Sequence, residues 1–214
     1  ISNISNNGTC RIYNNVIGNI NAPAATNATT PIAADAVRGI SITNTNASSS
    51  IIVDYNTIYL SATSTGTNFS SSGIFHTSSA TATTANLVLR NNIIINLSGT
   101  TGTGVASVIR RSTATQLNNF NAASNNNMLF AGTPSASRVI YMEAATTQPA
   151  LSGYQTLVAP RDNYAMTGET FTYSTAGNFF ISLTPSSADY LKPVAGITTQ
   201  VEGGAIQITG ITND

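Results

Sequence analysis

The chain has 214 residues, only 7% of them charged, and a formal net charge of zero. This length suits one all-β domain of ordinary size or part of a longer array. The balanced charge excludes the basic patch that binds nucleic acid or an anionic membrane, and the single cysteine, Cys10, excludes an internal disulfide. No apolar run reaches the roughly 18 residues of a membrane span. A surface of neutral amides and hydroxyls favours an extracellular protein.

An asparagine pair between two short apolar runs recurs along the chain, and each copy predicts a strand, a sharp corner and a second strand. The clearest copy is Leu87–Gly99 (LVLRNNIIINLSG). Aligned on the second corner residue, the copies share one asparagine at steps of 41, 36 and 35 residues, namely Asn15, Asn56, Asn92 and Asn127. Apolar columns flank it, with Ile12, Val53, Leu89 and then the polar Ser124 three positions before, and Ile17, Ile58, Ile94 and Leu129 two positions after.

The apolar columns predict a shared core, and the asparagine column predicts a structural ladder of stacked amides. An amide carries both a donor and an acceptor, so it can repeat at the strand spacing of about 4.8 Å. Ordinary turn chemistry explains any single asparagine pair as well, because asparagine tolerates left-handed dihedrals. Four asparagines in register favour the ladder.

A second series of strands has nearly the same period. Aligning Ile40, Ile74, Val108 and Val139 gives steps of 34, 34 and 31 residues. Two strand series with one period are typical of stacked coils, so the sequence predicts an all-β fold, a right-handed parallel β-helix (solenoid). A two-sheet sandwich is the rival architecture, because short strands with turn signals suit it as well. Sandwich strands, however, need not repeat at fixed offsets.

The repeat is regular over residues 1–131, in coils of about 35 residues, and loosens over residues 132–214. Residues 151–165 predict a short helical turn, and Phe179–Leu183 and Ala205–Ile208 predict strands. A solenoid needs atypical terminal coils to cover an open edge. We therefore interpret 132–214 as less regular terminal coils or a cap of the same solenoid.

Candidate catalytic groups are few. A polysaccharide lyase or hydrolase needs a base with charge-neutralising or paired carboxylate groups on one exposed face. The best constellation is His76 and Arg110, predicted to share a column on adjacent coils, with Tyr141 next, and we interpret these side chains as solvated or packed at strand ends. Asp54 and Arg90 share another column and predict a salt bridge between coils. One cysteine and one histidine exclude a zinc cluster, so we expect no metal, no cofactor and no catalytic residue.

The second half of the chain carries a resemblance. In order it contains Ser124–Phe130 (SNNNMLF), Gly153–Leu157 (GYQTL), Asn178–Ile181 (NFFI), Ala188–Lys192 (ADYLK) and Ile208–Asp214 (ITGITND). This order resembles a module of very large Bacteroidota cell-surface proteins, and the Asn-Asn-x-Ile corners resemble the parallel β-helix repeats of secreted polysaccharide lyases and surface proteins. The module ends on Ile-x-Gly-Ile-Thr-x-Asp followed by Asp-Gly-Asp, so the resemblance places Asp214 where a calcium-type acidic turn begins. The tryptophan of the module's helix is absent, and Tyr154 stands at a shifted position.

The resemblance implies an adhesin exported by the type IX system, whose β-helix is a stalk or a ligand-presenting surface. We therefore expect a non-enzymatic, extracellular segment of a large bacterial surface protein or filament at the cell surface. Its expected partners are cell-surface or extracellular glycans or sister chains, within a larger parent polypeptide or assembly, without nucleic acid or direct membrane insertion. The alternative is a carbohydrate-active β-helix of the lyase or hydrolase type. Ice binding is disfavoured, because the threonine-rich tracts lie in loops of unequal length.

Overall fold

The computed structural model describes residues 1–27, 35–112, 116–167, 179–195, 201 and 204–211. Most of the regular elements with described bounds are strands, and an eight-residue α-helix lies among them near the C-terminal end. In chain order the elements are β1 Thr9–Tyr13, β2 Val16–Ile17, β3 Val37–Ile42, β4 Ser50–Asp54, β5 Thr57–Leu60, β6 Ser71–His76, β7 Asn86–Arg90, β8 Ile93–Asn96, β9 Ala106–Arg111, β10 Met128–Phe130, β11 Arg138–Glu143, β12 Thr146–Gln148, α1 Leu151–Val158 and β13 Met166–Thr167.

The described strands form three sheets, and the chain visits them in a fixed order. The first sheet has the order β1-β4-β7, the second β13-β10-β8-β5-β2 and the third β12-β11-β9-β6-β3. We call each passage through the sheets, such as β1–β2–β3 or β4–β5–β6, a repeat. Neighbouring strands are parallel, apart from the antiparallel pair of β11 and β12. The predicted all-β class with parallel strands is therefore confirmed.

The predicted register of the first strand series is confirmed as well. Ile58 lies directly between Ile17 and Ile94 in the second sheet. In the first sheet, Val53 lies between Ile12 and Leu89. A slip by one residue would turn every one of these apolar side chains to the opposite face, so burial of the columns fixes the pairing.

The first step of the second strand series is confirmed, since Ile40 lies opposite Ile74, but the pairings that involve β9 are shifted by one residue from the predicted alignment. Ile74 lies opposite Ile109 rather than Val108, and Val139 lies opposite Ser107. Val108 and Ile109 both join the main core, so strict alternation between the faces fails within β9. A sequence alignment based on apolar positions cannot choose between two adjacent core residues.

This shift separates His76 from Arg110, and their predicted common column is wrong. Arg111 lies opposite His76, whereas Arg110 lies opposite Phe75. Neighbouring residues of a strand point to opposite faces, so the His76 and Arg110 side chains lie on different sides of the third sheet. Tyr141 shares the inner face with His76 but not its column.

The main core lies between the inner faces of the three sheets. It is built from stacked aliphatic columns, whose fully buried members are Ile51, Val53, Ile58, Leu60, Ile74, Leu87, Leu89 and Ile94. Packing is tight at Gly73, where an added Cβ would collide with the Ile94 side chain and lie 2.7 Å from the Val108 carbonyl oxygen. Cys10 stacks on Ile51 but remains half-buried at the edge of the first sheet.

The C-terminal part departs from the repeat. The predicted helical turn is confirmed as α1, which buries Tyr154 and Val158. The strand predicted at Phe179–Leu183 is wrong, because that segment forms only isolated bridges and packs Phe179 and Phe180 on the outer face of the second sheet.

No strand forms at Ala205–Ile208 either, where side chains of the corners bind the backbone instead. Asn178 and the end of the proposed closing motif, including Asp214, lie outside the described residues.

Candidate functional site

The asparagine column forms a continuous hydrogen-bonded ladder. Asn15 Nδ2 donates to Asn56 Oδ1 at 2.8 Å, Asn56 Nδ2 to Asn92 Oδ1 at 3.0 Å, and Asn92 Nδ2 to Asn127 Oδ1 at 2.9 Å. The backbone N–H of each donor residue reaches the same oxygen, at 3.2, 3.0 and 3.0 Å. Each acceptor oxygen thus receives two hydrogen bonds from the residue one repeat earlier.

The residue before each ladder asparagine explains why the corners are doublets. Asn14, Tyr55, Asn91 and Asn126 have φ of 54°, 53°, 55° and 61°, which is the left-handed region. Asparagine adopts this region more readily than most residues. The first residue therefore turns the chain, while the second places its amide in the ladder.

The ladder ends on an aspartate that sequence reasoning did not place in it. Asn127 Nδ2 donates to Asp162 Oδ1 at 2.7 Å, and the Tyr154 hydroxyl donates to the other carboxylate oxygen. Burial raises the pKa of Asp162 to about 6, although both hydrogen bonds oppose this rise. Asp162 follows Asn127 by 35 residues, and this spacing could have revealed it as the next member of the column. It was missed because Arg161-Asp162 differs in residue type from the asparagine corners.

His76 lies inside the core with both ring nitrogens bonded. Its Nδ1 accepts from the Arg111 guanidinium, and its Nε2 donates to the Ala85 carbonyl oxygen at 2.8 Å. Because arginine only donates and a carbonyl only accepts, these partners fix the neutral tautomer. Burial and the neighbouring Arg111 lower the pKa of His76 to about 3. This histidine has neither the access nor the basicity that an acid-base catalyst near neutral pH needs.

Arg110 is buried on the outer side of the third sheet, where it pairs with Asp35. Asp35 also accepts from the Ser72 hydroxyl at 2.7 Å and lies 3.6 Å from Arg38. The Arg38 guanidinium in turn stacks on Phe75, 3.6 Å from the ring centroid. Desolvation raises the pKa of Asp35 more than Arg110 lowers it. These contacts tie the residues at the start of β3 to the neighbouring strand β6 and to the next strand, β9.

The other polar residues singled out from the sequence are also bonded. Tyr141 is fully buried and donates to Glu143 Oε2 at 2.6 Å, and burial raises its pKa well above the ordinary value. The predicted pair of Asp54 and Arg90 is confirmed as a bidentate bond, at 3.0 and 2.8 Å. Asp54 is buried, so this pair is less solvated than an ion pair on the open surface.

The C-terminal segment crosses the corners on the outer surface. The Tyr55 hydroxyl donates to the Ile206 carbonyl oxygen at 2.6 Å, and Asn91 bonds both the N–H and the C=O of Ile206, at 3.0 and 2.7 Å. One repeat later, Asn126 Nδ2 donates to the Gly204 carbonyl oxygen at 2.8 Å. The corner residues that turn the chain therefore also hold this segment.

Between this segment and the second sheet lies a groove of about 470 Å³. Its lining residues are Asn14, Asn15, Val16, Tyr55, Asn56, Thr57, Asn91, Ile93, Leu191, Lys192, Pro193, Val201 and Ala205. Lys192 is the one charged residue in this described lining, and it pairs with Asp189 at 3.0 Å. The lining contains no carboxylate pair, so its chemistry suits a neutral ligand held by amides and apolar contacts.

No model of a protein family, no curated protein and no solved structure matches this chain. Its function must therefore be argued from its own residues. Over the described ranges, no three histidine, cysteine or acidic side chains come together as metal ligands. Within the same ranges, no helix has the length and apolar character to cross a bilayer.

Proposed function

We propose that this chain is a non-enzymatic segment of a large extracellular bacterial surface protein or filament, folded as a right-handed parallel β-helix. The observation that carries the proposal is the asparagine ladder, which joins four successive repeats through the same amide in the same direction. A ladder of this kind stiffens a stack along its axis, since each repeat is bonded to both neighbours. That property suits a stalk or a surface that presents ligands.

The absence of enzymatic activity is part of the proposal. His76 and Arg110 are the best candidates for catalysis, and both are buried and held by partners on opposite sides of one sheet. Catalytic acids and bases need access to a substrate as well as a tuned pKa. Asp162 has the shifted pKa, but it is fully buried as the last rung of the ladder.

The proposed partners are neutral extracellular glycans or sister chains, bound without metal or cofactor. Exposed serine, threonine and asparagine side chains offer weak, neutral hydrogen bonds in rows, and the groove adds amides beside apolar side chains. Repetition of weak contacts supplies avidity that one site lacks. The resemblance of the second half to Bacteroidota surface modules supports export by the type IX system and attachment at the cell surface.

Two assays test this proposal. Beads carrying many copies of the chain should adhere to surfaces coated with neutral polysaccharides, with retention that rises steeply with copy number, whereas the free chain should bind weakly. Incubation with pectin or alginate, with and without calcium, should release no products. Cleavage of either polymer would favour the carbohydrate-active alternative. Because His76 and Arg110 are buried, Lys192→Met in the groove is the informative variant for locating such an activity.

A further inference from the structure

The asparagine ladder has a direction. At each step the earlier asparagine donates through its backbone N–H and Nδ2, and the later one accepts through Oδ1. Donors thus point toward the C-terminal end of the stack and acceptors toward its N-terminal end. A ladder with this polarity can be extended at the N-terminal end only by a group that donates.

The first rung has an acceptor that no described residue fills. Asn15 donates to Tyr13 and Asn56, but among the described residues no donor reaches its Oδ1. Asn56 and Asn92, by contrast, each receive two N–H groups at this oxygen. The Asn15 side chain is exposed, whereas Asn56 and Asn92 are buried.

The strands at the same end are also open, apart from the end of β3, where the Ile1 amine donates to the Ser41 carbonyl oxygen. β1, β2 and β3 are the outermost members of the three sheets. The inner residues Ile12 and Ile17 are half-buried, although the next members of their columns, Val53 and Ile58, are fully buried. This end therefore presents three strand edges, partly exposed core columns and one directed acceptor.

At the opposite end of the stack, the third sheet and the ladder are both capped. The far edge of β11 pairs with antiparallel β12, and α1 packs Tyr154 against Tyr141 with a ring separation of 5.4 Å. The ladder stops there at Asp162. A second copy stacked head to tail would therefore offer the Asp162 carboxylate rather than an N–H donor to Asn15, and head-to-head stacking would place one Asn15 acceptor against another.

We propose that the face formed by β1, β2, β3 and Asn15 binds one further parallel coil of the same kind, with asparagine at its corner. The backbone N–H and Nδ2 of that asparagine donate to Asn15 Oδ1, and its strands pair with the three open edges. This inference rests on the proposed parallel β-helix.

The chain itself offers a coil for the test. Ile1 occupies the position of Ile42 one repeat earlier, because Thr43 N–H donates to Ile1 and Thr77 N–H donates to Ile42, at 2.8 and 3.0 Å. A copy of Ile42–Phe75 joined ahead of Ile1 therefore continues the stack in phase. The matched control carries Asn56→Ala within the added copy only.

Hydrogen exchange of the β1 amides is the main measurement. With the added copy, exchange in β1 should slow by on the order of tenfold or more relative to the original chain, and the control copy should give less protection. Asn15→Ala should reduce the gain in the extended chain while changing the original chain little. If the extended chain does not fold, a synthetic peptide of residues 50–60 and its Asn56→Ala version are compared for the same protection in the original chain.

Each outcome has a defined meaning. Equal protection by both copies, or by both peptides, would contradict the directed acceptor, and no protection at all would contradict docking. A dimer of the original chain that protects β1 would show that a second copy is the occupant. Exchange in β4 and β7 separates this inference from the proposed fold: rapid exchange there in the original chain overturns the β-helix, whereas slow exchange there with unchanged β1 overturns only the docking.

Discussion

Replacing Asn92 with alanine tests how much the ladder stabilises the chain. Asn92 is buried, and its Nδ2 donates to the carbonyl oxygens of Val53 and Arg90 and to Asn127 Oδ1, each at 2.9 Å. Its Oδ1 accepts from the backbone N–H and from Nδ2 of Asn56, both at 3.0 Å. The substitution removes these five hydrogen bonds together.

Not every partner is left without a bond. The Arg90 carbonyl oxygen still accepts from the Tyr55 N–H, and Asn127 Oδ1 still accepts from the backbone N–H of residue 92. The buried N–H of Asn56 loses its acceptor, and an unsatisfied buried donor costs about 1–3 kcal/mol. We therefore expect Asn92→Ala to lower the free energy of unfolding by about 2 kcal/mol.

Asn15→Ala is the matched control, since it removes the same amide from the same column at the open end. The Asn15 side chain is exposed and no described donor reaches its Oδ1, so its loss should cost under about 1 kcal/mol. Urea denaturation followed by circular dichroism measures both variants, with equal m-values required for the comparison. A loss for Asn92→Ala no greater than that for Asn15→Ala would refute the structural role of the ladder.

Three further predictions concern buried charges and the C-terminal segment. The folded pKa of His76 is about 3, below the ordinary 6.5, so the unfolded state binds the extra proton. The free energy of unfolding should fall as the pH drops below about 6.5, by about 2 kcal/mol at pH 5, and His76→Gln should flatten this fall in urea titrations at several pH values. The folded pKa of Asp162 is about 6 against 3.8 for the free group, so stability from this group is lost as the pH rises through 6. At pH 7 the raised pKa of Asp162 lowers the free energy of unfolding by up to about 3 kcal/mol, so Asp162→Asn should raise the thermal midpoint. An unchanged midpoint would contradict the shifted pKa. Tyr55→Phe combined with Asn91→Ala removes the bonds to Ile206, and subtilisin should then cut residues 204–211 faster than it does in the exposed control Tyr13→Phe.

The register of the first strand series could be predicted because a polar marker stands at every corner. An asparagine within apolar runs fixes the alignment to a single residue, and Ile17, Ile58 and Ile94 consequently pair as expected. The second series has no such marker. Val108 and Ile109 both face the core, so the apolar pattern is compatible with two alignments that differ by one residue.

Other contacts could not be predicted, because they join segments outside the repeat. Asp35 and Arg110 are 75 residues apart, and Ile206 meets Asn91 across 115 residues. A period relates residues only at multiples of its own length, so neither pairing leaves a trace in the alignment. The strand at Phe179–Leu183 was wrongly predicted for a related reason. Two adjacent phenylalanines are compatible both with a strand and with an irregular segment that packs on another sheet.

The position of the charged groups strengthens the case for neutral ligands beyond what composition suggests. The chain has eight acidic and eight basic residues, and within the described ranges five of these are buried, namely Asp54, Arg110, Arg111, Glu143 and Asp162. These charged groups lie in the interior, so the surface carries fewer charged groups than the composition of the sequence suggests. The attachment that we propose would depend on amide and hydroxyl contacts, which salt screens far less than it screens exposed ion pairs. Adhesion by this chain should therefore respond to the number of copies presented and change little with ionic strength.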